Sequence, residues 1–515
     1  MPTYLSPGVY VEEMEAGSRP IEGVGTAVAA FVGLAAQGPF NAPTLVTNWS
    51  QYTQTFGDFV EGTYLSHAVY GYFLNGGGAC YVVRIGGNGS ASPAAKAELT
   101  AATGSGGGPS ANVGAFRVQA IAEGAEGNDI SVQISDSGAE GATEDSFKVE
   151  VKRGGKVEET FDNVSAKKGR QNVVTVVNQQ SKLIRLEDLG VSAEKVARGA
   201  VALAGGGAPA PAHLAPDDYV GDSADRTGFG GLEAVDEITM VCVPDLMSAY
   251  QNRMLDLEGV QAVQLAMIAH CELMGDRVAI LDPPPGLNAQ QIKEWRVDKV
   301  GYDSKYAALY WPWVKVFDPS SGTNNFVPPC GHMAGIWGRN DDTRGVHKAP
   351  ANEVVRGAIS LEINITKNEH DLLNPVGINC VRAFPGRGIR VWGARTLSSD
   401  SAWRYLNVRR LFNYLEESIL NGTDWVVFEP NDPALWSKIR RTIAAFLVNE
   451  WRKGALFGLT PQEAFYVKCD GETNPAEGID AGQVICEIGV APVKPAEFVI
   501  FRLSQFSGGT SLVNE

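Results

Sequence analysis

Apolar positions change their period several times along the chain, and the changes mark out the elements. Three short, almost wholly apolar runs, ITMVCVPD from Ile238, RVAILDPPPG from Arg277 and YAALYWPWVKVFDP from Tyr306, read as buried strands. Between them Leu255, Val260, Val263, Met267 and Ile268 recur at helical spacing within 254–274, and a second helix is predicted around 290–300. Buried strands separated by helices predict βαβ units and a largely parallel sheet. Further on, Val408, Leu411, Phe412, Leu415 and Ile419 share one face of a helix within 403–420. Asp432 and Pro433 suit the N-cap and first turn of another helix, which runs through Trp436, Ile439, Ile443, Phe446 and Leu447 until Gly454 can stop it. Thr460, Pro461 and Glu463 predict a capping box on a third, short helix.

A different text interrupts this one. GGNGSAS (86–92) and GSGGGP (104–109) open a segment that GGGAPAPAHLAP (205–216) closes, all linker-like in composition. Inside it the period is two: FRVQAI from Phe116, ISVQIS from Ile130, and SFKVEVKRGGKVEETF, where Gly154-Gly155 sits as a hairpin turn would. NVVTVV from Asn172 reads as one more strand. The segment is expected to be a small, mainly-β outer domain that carries no chemistry. The chain ends differ again. EFVIFRLSQF from Glu497 is apolar on both faces at Phe498, Val499, Ile500 and Phe501, so something must cover it. Val9, Tyr10 and Val11 form a second strand-like run, behind Ser6-Pro7-Gly8 and before a loose AGSRP. Both read as strands on tethers.

Composition narrows the class. A length of 515 residues, 44% hydrophobic and 20% charged, suits a globular protein of about three domains. A net charge of -16 argues against nucleic acid as the main partner. The longest apolar stretch, 27–36, is half of the roughly 20 residues that cross a bilayer, and the first residues lack the pattern of a secretory signal. Cytoplasmic synthesis and folding are expected, without membrane insertion. Seven scattered cysteines with no C-x-x-C pair read as buried thiols, and Cys330 with His332 lacks a second pair of ligands at a zinc-site spacing.

Catalytic motifs are scarce. Gly23, Gly25 and Val28 miss the last glycine of a dinucleotide fingerprint, and no phosphate loop, nucleophile elbow or H-E-x-x-H occurs. Six histidines lie far apart in sequence. The aromatic run Tyr310, Trp311, Trp313 reads as a buried strand end. One enzyme signal remains: Asp245, Asp282 and Asp318 each follow a predicted strand, where α/β enzymes place their sites, and together could hold Mg²⁺ for phosphate-ester hydrolysis. The competing explanation is turn chemistry, because each stands in or beside an Asp-Pro or Pro-Asp step. A binding module displaying the β insert is a further alternative. One charge anomaly also stands out. Between Cys380 and Ala455 basic residues exceed acidic ones by five in an otherwise acidic chain. Arg404, Arg409 and Arg410 sit towards the start of their helix, against the helix dipole. Either an acidic partner surface or pairing within the chain would account for that order.

These residues carry a resemblance to the contractile tail sheath proteins. The matching text is SPGVYVEE (6–13), GGGACYVVRI (76–85), KAPA (348–351), LNPVGIN (373–379), PGRGIRVWGARTLS (385–398), VRRLFNYLEESI (408–419) and APVKPAEFVIFRLSQ (491–505), in the family's order. The resemblance implies an α/β and α+β multidomain chain with a sheath-type core of mixed sheets flanked by helices, plus the inserted domain. Its parts would be an N-terminal arm (1–20), an α/β middle domain (21–94 with 216–350), the insert (95–215), a C-terminal α+β core (351–490) and a C-terminal arm (491–515). It implies a structural protein rather than an enzyme, with no cofactor or metal. Subunits would stack as hexameric rings around an inner tube, inside a phage tail or tail-like particle assembled in the bacterial cytoplasm. Baseplate and terminal cap proteins would be further partners. The arm strands Val9–Val11 and Phe498–Phe501 would join neighbouring copies, with Glu15–Pro20 and Ala491–Pro495 as hinges. Arg404, Arg409 and Arg410 are the candidate tube-facing residues.

Overall fold

The computed structural model describes residues 20–86, 96–100, 114–121, 129–139, 142–143, 145–188, 196, 198–203, 214–319 and 321–502. Val9, Tyr10, Val11 and most of the first expected hinge lie outside them. At the centre is an eight-stranded sheet, ordered Gly388–Val391, Ile378–Phe384, Ala307–Trp311, Val278–Leu281, Met240–Cys242, Val28–Gly33, Ala79–Arg84 and Thr44–Val46. The six inner strands are parallel, and an antiparallel strand closes each edge. Side chains alternate between two buried layers. Ala30, Val32, Val241, Ala279, Leu281 and Leu309 face one core, while Ala29, Phe31, Met240, Cys242, Ile280 and Tyr310 face the other. The helix Leu257–Met274 covers the first layer through Val260, Val263, Met267 and Cys271. Met333, Ile336 and Trp337 of Cys330–Arg344 cover the second. Unbroken apolar runs are what a strand needs when helices bury both of its faces.

The expected boundary near 350 does not hold. Ile378–Phe384 pairs in parallel with Ala307–Trp311 and in turn carries Gly388–Val391. The α/β body therefore continues to about residue 400, because a strand belongs to the sheet that satisfies its backbone groups.

The insert has its own core, including Phe116, Val132, Phe147, Val149, Val151 and Leu186, under a four-stranded and a three-stranded sheet. Arg153 pairs with Lys156 across Gly154 and Gly155, whose φ of 56° and 81° suit the turn that glycine permits in a two-residue hairpin. NVVTVV is not a strand. Residues Val173–Gln180 form a helix capped by Asn172, whose side chain accepts from the Thr175 N–H, and Val173 and Val177, four apart, are the residues it buries.

Two helices, Leu406–Gly422 and Pro433–Arg452, form the C-terminal body with a two-stranded antiparallel sheet, Phe465–Lys468 against Glu487–Val490. Leu411, Leu415, Ile439, Ile443, Phe446 and Leu447 fill its core. Asp432 caps the second helix by accepting from the Leu435 N–H. The expected capping box at Thr460 is absent: Glu463 accepts from the Leu459 N–H instead, one residue before the cap position.

Candidate functional site at the root of the C-terminal arm

Among the described residues no group of three His, Cys, Asp or Glu side chains is placed to hold a metal ion. Asp245, Asp282 and Asp318 do not converge. Each carboxylate ties a strand end to another element. Asp245 accepts from the backbone N–H groups of Leu34 and Tyr64, at 2.7 and 2.5 Å. Asp282 accepts from the Cys330 N–H at 3.0 Å, where the helix Cys330–Arg344 begins. Asp318 accepts from Ser321 and Asn325 and lies 3.9 Å from His67. Burial raises the pKa of Asp245 to about 6 and that of Asp282 to about 7, against opposing hydrogen bonds from those backbone groups. They are structural ties: only Asp318, accepting from Ser321 three residues on, makes the local turn contact that the Asp-Pro steps suggest, whereas Asp245 and Asp282 hold distant segments.

The arginines separate too. Arg409 and Arg410 are buried, whereas Arg404 is exposed. Arg410 grips Asp341 with both terminal nitrogens, at 2.9 and 2.6 Å, and also donates to the Thr26 carbonyl. Arg409 donates to Asn413 and Glu416 and stacks over Trp403. Arg409 and Arg410 are therefore not free to face a tube; their charge is spent inside the chain, which also explains the order that the helix dipole disfavours. The Arg410–Asp341 pair bolts the C-terminal body to the α/β body.

A run of exposed apolar residues lies at the C-terminal arm. Past the strand Glu487–Val490 the chain stays pinned: the Ala491 N–H donates to Ala464, the Ala491 carbonyl accepts from Phe457, and the Val493 N–H donates to Ala455. Asn407 donates to the Val493 carbonyl. The segment Ala491–Pro495 is thus held rather than hinged, contrary to expectation. Glu497 then closes a clasp. Its carboxylate accepts from Arg395 Nε and Nη2 at 2.8 and 2.6 Å, from Asn374 at 2.7 Å and from the Tyr405 hydroxyl at 3.1 Å. Burial alone would raise the Glu497 pKa, but the hydrogen bonds from Arg395 and Asn374 outweigh it, and the carboxyl sits below its ordinary value.

Beyond the clasp the text turns outward. Phe498, Val499, Ile500 and Phe501 belong to no helix or strand, pair with no strand among the described residues, and are 68–84% exposed. A groove of about 880 Å³ runs beside the root, with Lys348, Lys367, Arg382, Trp392 and Arg395 among its walls. Phe457, Leu459 and Tyr466, close to the same root, are also exposed. Periodicity found the apolar arm. It could not find the clasp, because Arg395 and Glu497 are 102 residues apart and carry no local signal.

Comparison with known proteins decides what this arrangement belongs to. The family model for the phage tail sheath protein central domain matches residues 234–397, and that for the phage tail sheath C-terminal domain matches residues 398–506. The chain belongs to the phage tail sheath family. The two matches meet where the α/β body ends, and the second takes in the arm. The tail sheath protein of Vibrio phage KVP40 is 29% identical over 247 residues, 44% of this chain and 36% of that protein. A putative prophage major tail sheath protein of Pseudomonas aeruginosa is 27% identical over 287 residues, 53% of this chain and 71% of that one. The chain thus spans about a third of the phage KVP40 protein and more than two thirds of the Pseudomonas one. Among solved structures, the helical sheath of the anti-feeding prophage in its contracted state aligns with a TM-score of 0.58 at 25% identity, covering 98% of this chain and all of that one. The sheath complex of an extracellular contractile injection system, PVC, also contracted, aligns with a TM-score of 0.57 at 22% identity over 98% of this chain and 99% of its own. The relatives and structural neighbours are sheath proteins, not enzymes, and the separated Asp245, Asp282 and Asp318 do not form the hydrolase site expected of them.

Proposed function

We propose that the chain is the subunit of a contractile sheath, polymerising with copies of itself as stacked hexameric rings around an inner tube and contracting to drive that tube through a target envelope. The observation that carries this reading is the apolar, unpaired segment Phe498–Phe501, rooted by Glu497 and exposed. A strand with open backbone groups and apolar side chains on both faces is a donor for strand addition to another chain. The N-terminal run Val9–Val11 plays the same part, so that each copy is tied into its neighbours. Rotation of the rigid bodies occurs beyond Glu497, since Ala491–Pro495 is pinned. The contracted lattice buries more surface between subunits, which makes the extended one metastable, and no nucleotide is consumed. Baseplate, cap and tube proteins are the partners, assembly takes place in the bacterial cytoplasm, and exposed Arg404 is the member of its trio left for a tube-facing role.

The test is truncation. Removing residues 498–515, or Met1–Pro20, should leave a folded monomer that forms no hollow tubes in negative-stain micrographs, whereas the full chain forms them. Long tubes from either truncation would refute the reading.

A further inference from the structure

Two cysteines stand just past the end of the two-stranded sheet. Lys468 stands opposite Glu487, so one further step sets Cys469 opposite Cys486. At the other end the Ala491 N–H donates to Ala464 directly across from it, which marks a hydrogen-bonded pair. Pair types alternate along an antiparallel ladder. Continued one step past the ladder's last pair, the alternation from Ala464 and Ala491 would give Cys469 and Cys486 a non-hydrogen-bonded position, for which a Cα spacing of about 4.5 Å is usual, within the roughly 4.4–6.8 Å that a disulfide spans. Both side chains share the face of Phe465, Val467, Ile488 and Val490, which packs on the core of the C-terminal body. The two thiols are free, and Asn474 donates to Cys469 Sγ at 3.7 Å. Cys469 is fully buried, but Cys486 is partly open to solvent.

We propose that Cys469 and Cys486 are a redox pair that closes to a disulfide by exchange with a small-molecule disulfide such as oxidised glutathione, stapling the sheet from which the C-terminal arm departs. The Cys486 thiolate attacks one sulfur of the oxidant, forming a mixed disulfide and releasing one glutathione thiolate. The Cys469 thiolate then attacks the Cys486 sulfur and expels the second. Two protein thiols are oxidised, one disulfide is reduced, and their two protons go to the departing thiolates. Burial lifts the Cys486 thiol to about 12 and raises Cys469 as well, so the thiolate fraction is small and closure is slow. A slow pair stays reduced during assembly and closes after prolonged exposure to an oxidising medium. That timing rests on the sheath reading; the chemistry does not. A second neighbouring pair, Cys242 and Cys330, is sealed in the α/β core, where no oxidant reaches it.

The experiment uses the unassembled full chain, so it stands or falls apart from tube formation. The protein, freed of reductant, is incubated with oxidised glutathione, its remaining thiols are blocked, and it is cleaved at acidic residues, because Glu477 and Asp480 lie between the two cysteines. Mass mapping should show one link, joining Cys469 to Cys486 with the loss of two hydrogens, and Cys242 and Cys330 unlinked. Backbone amides of the two strands should then exchange about 100-fold more slowly, as expected for closing a loop of this length. Cys469→Ser should trap the glutathione adduct on Cys486, and Cys486→Ser should give no link. A stable adduct on Cys486 of the unaltered chain, a different pairing, or no reaction at Cys486 would each overturn the proposal.

Discussion

The α/β body and the C-terminal body are written in similar apolar text, yet they treat it differently. In the first, the strands Met240–Cys242, Val278–Leu281 and Ala307–Trp311 are buried throughout, and even its charged side chains Asp245, Asp282 and Arg277 are enclosed with partners. In the second, a well-packed helical core coexists with exposed Phe457, Leu459 and Tyr466 and with a fully apolar segment after Glu497. Scattered exposed apolar residues are ordinary on a protein surface; an unbroken run of four with no strand partner among the described residues is not. The contrast is that the α/β body encloses its central strands and their charged neighbours, while the C-terminal body ends in an unbroken run of exposed apolar residues.

That contrast can be broken at its joint. Arg410→Ala or Asp341→Ala leaves one buried charge unpaired between the two bodies and should cost about 3–5 kcal/mol, read from urea unfolding. Next in size is a pH effect confined to the α/β body. Asp245 and Asp282 have folded pKa values of about 6 and about 7, above the ordinary 3.8. Their contribution is fully present below about pH 4 and is lost as pH rises through those folded values, by a few kcal/mol in all. Asp282→Asn, which keeps an acceptor for the Cys330 N–H, should therefore gain stability relative to the unaltered chain between pH 5 and pH 8. A flat difference across that range would show that the carboxyl is not held neutral.

Smaller effects belong to the C-terminal region. Glu497→Gln should cost about 1 kcal/mol locally and speed amide exchange over 493–497 while leaving global unfolding in place. Because the folded pKa of Glu497 lies below its ordinary value of 4.5, the clasp holds above that value and is lost as pH falls through the folded pKa. Acid should thus mimic the substitution at the arm. Smallest of all, Ile500→Asp should change monomer stability by less than about 0.5 kcal/mol yet abolish tubes. A clear loss of monomer stability would mean that the segment packs on its own body.

Much of this was legible beforehand. Val260, Val263 and Met267 announced their helix, Asp432 announced a cap, and Gly154-Gly155 announced a hairpin, because each signal lies within a turn or two of the chain. Asn172 misled only because four valines in six residues can alternate as a strand or stack as a helix, and the cap decided between them. The aspartates were located correctly at strand ends, but their partners, Leu34, Tyr64 and Cys330, come from other parts of the chain.

By itself the sequence determined most of the helices and strands, though not the helix Val173–Gln180, and also that the central α/β strands are buried on both faces and that the last segment carries a dense apolar run. Those are matters of local period and composition. Tertiary structure alone decided that Arg409 and Arg410 are spent internally, that the sheet reaches past residue 378, that Glu497 rather than Pro495 is the root of the arm, and that Cys469 and Cys486 follow the facing ends of one ladder. Each of these depends on a partner far away in sequence, and the energy of a buried charge or a ladder position is set by that partner rather than by neighbours along the chain.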